Sequence, residues 1–148
     1  MKLNDTLNML MYAFGVDQVQ ALETGEMSYH FGGDQPFGAL AFPGNILRLH
    51  VPLSLKATDA AALTRVLEGN CLGIESGTGQ LALSPESDGL AMVDFIALDA
   101  LEKDDVQMRI VDLLLYADYW ETMGAGLLGQ QSASTFAPED ALMTTIRV

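Results

Sequence analysis

Leu3, Leu7, Leu10, Met11 and Phe14 recur at the spacing of one helical face, and Gly15 stands where such a helix ends. The period then shortens to two. Val19–Leu22 and Met27–Phe31 read as short strands around a Thr24-Gly25-Glu26 turn, with Met27, Tyr29 and Phe31 alternating with Ser28 and His30. Phe37–Phe42 reads as a further strand, closed by Pro43-Gly44-Asn45. The clearest run spans Ile46–Leu55, where Leu47, Leu49, Val51, Leu53 and Leu55 alternate with Arg48, His50, Pro52 and Ser54. Pro52 has no N–H to donate. This strand therefore lies at a sheet edge, or its ordered pairing ends at Pro52.

Helical spacing returns after Thr58, the expected N-cap, with Leu63, Val66 and Leu67 as the stripe and Gly69-Asn70 as the stop. Gln80–Ser84 and Leu90–Leu98 then read as two strands on either side of Pro85-Glu86-Ser87-Asp88-Gly89. The longest element is expected over Asp104–Met123. Val106, Ile110, Leu113, Leu114, Ala117 and Trp120 form one stripe, and Met108, Val111, Leu115 and Tyr119 form a second. Such a helix is buried on both faces, or buried on one and in contact with a partner on the other. Gly124–Ser134 reads as a linker and Pro138–Met143 as a short terminal helix. The order of helix, three or so strands, helix, two strands and long helix is not strictly alternating, so the class is α+β. One domain is expected over residues 1–123, with a tail over 124–148.

Charge narrows the partners. Seven Lys and Arg against 20 Asp and Glu give a net charge of −13 in 148 residues, which disfavours nucleic acid and anionic membrane. The 49% hydrophobic content excludes a disordered chain. No secretion signal is read at Met1–Thr6, and no apolar run reaches the roughly 18–20 residues of a membrane span. The single Cys71 excludes an intrachain disulfide, fits a reducing compartment and reads as a small buried hydrophobe.

Chemistry-bearing patterns are sparse. His30 and His50 lie on the polar phase of strands without His or Cys at ligand spacing, and read as ordinary strand histidines. Gly124-Ala125-Gly126-Leu127-Leu128-Gly129 matches G-x-G-x-x-G. A dinucleotide site needs a strand before the motif, and here a long helix precedes it. Asp99, Glu102, Asp104 and Asp105 read as a solvated, capped helix start. No catalytic, metal or cofactor-binding residue is assigned, and none of these features calls for a cofactor. What stands out is apolar surplus: eight Met, with Met1, Met9, Met11 and Met27 in the first 27 residues. Such a composition suits a surface that accepts varied apolar partners.

The element order resembles the class I chaperones of bacterial type III secretion, the Tir chaperone family, with order α-β-β-β-α-β-β-α. The likeness rests on the amphipathic start Leu3–Gly15, the hairpin Val19–Phe31 and the strand Ile46–Leu55. It also rests on the block Ala62–Asn70, the glycine-led Gly79-Gln80-Leu81-Ala82-Leu83-Ser84-Pro85 and the late Tyr116-Ala117-Asp118-Tyr119-Trp120. It covers roughly residues 1–123. The tail and the long Gly32–Gly44 connection are departures.

The resemblance implies a cytoplasmic, non-enzymatic homodimer with an antiparallel twisted sheet flanked by helices. Its cargo is the N-terminal region of a secreted effector, held extended. Leu63, Val66, Leu67, Leu81 and Leu83 are then expected at the dimer interface. Leu7, Met11, Tyr29 and Phe31 are expected in the cargo pocket with His30 on its rim, and Leu7 and Phe14 also serve the core. Two other readings stay open. One is an acidic adaptor or immunity-type module for a folded basic partner. The other is a small enzyme or ligand carrier built on scattered acids and His50.

Overall fold

The computed structural model describes residues 1–24, 26–84 and 89–129. Residues 130–134 of the expected linker, the terminal helix Pro138–Met143, Gly25 of the first turn and residues 85–88 of the last hairpin lie outside the described residues.

Helix α1 (Leu3–Phe14) leads into four strands: β1 (Gln18–Ala21), β2 (Met27–Phe31), β3 (Phe37–Phe42) and β4 (Ile46–Lys56). Helix α2 (Ala60–Gly69) and a short 3-10 turn (Cys71–Gly73) precede β5 (Gln80–Leu83) and β6 (Gly89–Ala97), and α3 (Lys103–Leu127) follows. All four β-like runs before α2 become strands, one more than in the order α-β-β-β-α-β-β-α. The extra one is the four-residue β1. The six strands form one antiparallel sheet in the order β1-β2-β3-β4-β6-β5.

Strand β4 is central, not an edge. Its pairing to β3 runs only as far as Gly38↔His50, two residues short of Pro52, and its register against β6 shifts between Pro52 and Lys56. The missing N–H of Pro52 thus falls where ladder pairing ends, the second of the two sequence alternatives.

One face of the sheet carries the core. Leu47, Leu49, Val51, Leu53 and Leu55 of β4 are buried beside Leu90, Met92 and Ile96 of β6. The first α3 stripe, Val106, Ile110, Leu113, Ala117 and Trp120, seals them, and α1 adds Leu7 and Leu10. Burial of this many large apolar side chains, at roughly 1.5–3 kcal/mol each, is the main stabilising term. Among these residues sits one carboxylate. Asp94 is 3% exposed, and Arg109 of α3 engages it through two hydrogen bonds of 2.5 and 3.0 Å.

Three local expectations change. The α2 N-cap is Asp59, not Thr58. The helix starts at Ala60, so the Asp59 carboxylate accepts from Ala62 N at 2.8 Å. Cys71 is exposed, because it opens the 3-10 turn that carries the chain away from the core. Helix α3 continues past Met123 through Gly124 to Leu127. Gly124 is buried, and a Cβ at this position would collide with Leu55. This glycine permits close helix–strand packing within the helix, where the sequence suggests a joint. At the other end of α3 the capping box between Glu102 and Asp105 matches the capped start expected there.

Candidate partner-binding surfaces

Among the described residues, two apolar regions are left uncovered on the helix-bearing side. The first lies along α1 and α3. Met9, Leu10, Ala13 and Phe14 face Gln107, Ile110 and Val111 across a groove of about 300 Å³. Gln107 and Val111 are shared with a second depression of about 750 Å³ that adds Leu101, Met108 and Leu115, so the two are contiguous. Met108, Val111 and Leu115 belong to the second apolar stripe of α3 and are exposed. Phe14, expected to serve the core, is exposed instead, because it sits at the last turn of α1 with its ring against Phe37, centroids 5.1 Å apart. At one edge the sheet ends in β1, whose four residues are all exposed. The outer side of β1 is unpaired among the described strands, the geometry that accepts an added strand.

The second region surrounds α2. Leu63, Leu67 and Leu83 are exposed together with Leu72 and Ile74 of the following turn. Leu72 is 92% exposed and has φ of 55°, a left-handed conformation rarely adopted by a leucine. Strand β5 forms the other edge of the sheet.

The structure divides the residue sets expected from sequence. In the α1–hairpin set, Leu7 and Phe31 are buried in the core, where Phe31 stacks on Phe37 at 4.7 Å. Met11 is exposed and Tyr29 half-buried. His30 points away from Tyr29 and Phe31, to the opposite side of the sheet, because neighbouring strand residues alternate sides. In the α2–β5 set, Val66 and Leu81 are buried within the chain, whereas Leu63, Leu67 and Leu83 are free to contact a partner. Sequence reasoning missed Val19, Leu72 and Ile74 as exposed apolar positions. Val19 pairs with Tyr29, and its place in a four-residue edge strand was the available signal.

Polar pinning holds the second region in shape. Arg65 of α2 pairs with Glu75 at 2.6 Å and lies over the Trp120 ring, and Trp120 Nε1 donates to Glu75 O at 2.7 Å. Tyr119 Oη donates to Glu75 Oε1 at 3.3 Å. Among the described residues no three His, Cys, Asp or Glu side chains converge as a metal set, and no helix is long and apolar enough to cross a membrane. The depressions are open grooves and not enclosed cavities.

Two solved structures share the fold. A chain of the ExsC–ExsE complex superposes with a TM-score of 0.59 at 15% identity, covering 83% of this chain and 96% of that one. A chain of the HopA1–SchA chaperone–effector complex superposes with a TM-score of 0.56 at 14% identity, covering 81% and 94%. No family model matches the sequence, and no curated protein matches it. The chain thus has the α+β fold found in these two complexes, with six antiparallel strands and the core between the sheet and α1 and α3.

Proposed function

We propose that the chain is a non-enzymatic chaperone of type III secretion, which binds the N-terminal region of a secreted effector and keeps it extended. The observation that carries this reading is that a contiguous α1–α3 groove and an open β1 edge occur together on a fold shared with a chaperone–effector complex. An extended segment gains main-chain hydrogen bonds at a strand edge while its apolar side chains fill the groove. Met11, Phe14, Val19 and Tyr29 are the side chains best placed for it, with Met108, Val111 and Leu115 continuing the surface. The chaperone works in the bacterial cytoplasm as a homodimer. Its dimer contact is the second region, with Leu63, Leu67, Leu72, Ile74 and Leu83 covering one another across a two-fold axis. The charge of −13 keeps so apolar a surface soluble.

Copurification from the native host, followed by hydrogen exchange on the complex, tests this. The expected result is one dominant protein whose N-terminal region is bound without forming a domain of its own. A folded basic protein held through its native surface would instead establish the adaptor reading.

A further inference from the structure

The sheet has a second face, turned away from α1 and α3. Strand alternation and register place His30, Leu40, Phe42, Arg48, His50 and Phe95 on it. In a chain with 20 Asp and Glu, no described strand residue on this face is acidic. The one carboxylate among the described strands, Asp94, lies on the core side against Arg109. Asp17 stands at the margin, sharing a small cleft with His30 and His50. The face is therefore an apolar and basic island on a protein of opposite charge.

Its polar groups are also incompletely used. Arg48 lies over the Phe42 ring at 5.9 Å, and its Nε has neither solvent contact nor a hydrogen-bond partner. His50 Nδ1 is likewise buried and unpaired. The His50 ring lies across Gly38 of the neighbouring strand, where any Cβ would collide with it. Among the described residues the Arg48 guanidinium makes no hydrogen bond or ion pair, and its terminal N–H groups, unlike Nε, are the donors that an acceptor from outside the chain can reach. Beside them Phe95 is 58% exposed, its ring 6.5 Å from that of Phe42.

We propose that this face is a second interaction surface, separate from the cargo groove, which receives an acidic, apolar segment of a partner protein. A carboxylate of that segment accepts from Arg48, and its apolar side chains cover Phe42 and Phe95. Charge complementarity selects this occupant. A second copy packed face to face would set Arg48 against Arg48, and a phosphate backbone would meet a net charge of −13.

The test is fluorescence anisotropy on the full chain, with two labelled nine-residue probes: alternating Val and Glu, and the same peptide with Lys for Glu. The Glu probe is expected to bind at least tenfold tighter than the Lys probe, and to weaken as salt is raised. Arg48→Glu and Phe95→Ser are each expected to weaken it at least fivefold. Arg48→Lys, which keeps the charge but loses the planar fork of terminal N–H donors, is expected to weaken it measurably. Phe95 is exposed and Arg48→Lys is conservative, so these two keep the test open should Arg48→Glu unfold. Met108→Glu, in the α1–α3 groove, is expected to leave the affinity unchanged. Equal binding of both probes, binding insensitive to Phe95→Ser and Arg48→Lys, or no saturable binding overturns the proposal. So does a dimer that Phe95→Ser dissociates, because a second copy then occupies the face.

Discussion

The Asn70 side chain pairs with the Leu81 main chain as a strand would. Its Nδ2 donates to Leu81 O at 3.0 Å and its Oδ1 accepts from Leu81 N at 2.7 Å. The residue that ends α2 therefore also occupies one position on the outer side of β5. Asn70→Ala leaves a main-chain donor and acceptor unpaired beside the core. A loss of about 1–3 kcal/mol is expected in urea unfolding. Asn70→Asp keeps the acceptor but loses the donor, and is expected to fall between the two.

Two glycines near the end of α3 should respond oppositely to alanine. At Gly124 the new methyl meets Leu55, and overpacking is expected to cost about 1–3 kcal/mol. At Gly126 nothing lies within 4 Å of it, and the better helix former is expected to add up to about 1 kcal/mol. Thermal unfolding of the two variants side by side checks the signs.

Interface substitutions must avoid the core. Val66 is buried within the chain, so Val66→Asp is expected to unfold the protein before it reports on a dimer. Leu67 is 71% exposed. Leu67→Glu is expected to leave the circular dichroism unchanged and convert the proposed dimer to a monomer by light scattering. Met11→Glu, also at an exposed position, is expected to leave fold and dimer intact and weaken cargo binding at least tenfold. A Leu67→Glu protein that remains dimeric places the interface elsewhere.

His50 sets a pH dependence. Burial, the neighbouring Arg48 and His30 lower its pKa below the usual 6.5. Ser28 lies within hydrogen-bond reach of His30, and Asp17 shares the cleft. With the folded value below the unfolded one, the unfolded chain binds the proton more readily. The stability contributed by neutral His50 is complete above about pH 6.5 and is lost as pH falls toward the lowered folded value. His50→Gln is expected to flatten the stability profile between about pH 7 and 5 relative to the parent, measured by urea midpoints.

Much of this architecture was legible in the sequence. The period-two run Ile46–Leu55 and the first stripe of α3 gave the core, because alternation and helical spacing are direct images of burial. The exposed second stripe of α3 was equally readable. What could not be read was how one element meets another. A glycine that admits Leu55 and a glycine that frees a joint are the same letter, so the sequence around Gly124 suggests a joint. His30 and Tyr29 were grouped because they are adjacent, although adjacency in a strand places side chains on opposite sides. Leu72 carries no turn signature. Its left-handed exposure follows from the route between α2 and β5.

The sheet order also bears on how the chain folds during synthesis. Strands β1 to β4 form a meander of sequence neighbours, each able to pair as soon as the next emerges. The apolar side of that meander is sealed chiefly by α3, the last described element to leave the ribosome. For most of translation the nascent chain holds Leu47, Leu49 and Val51 in a half-built sheet that α3 cannot yet cover. Chains that terminate before Trp120 should therefore be captured by folding factors or aggregate, and not accumulate as stable fragments.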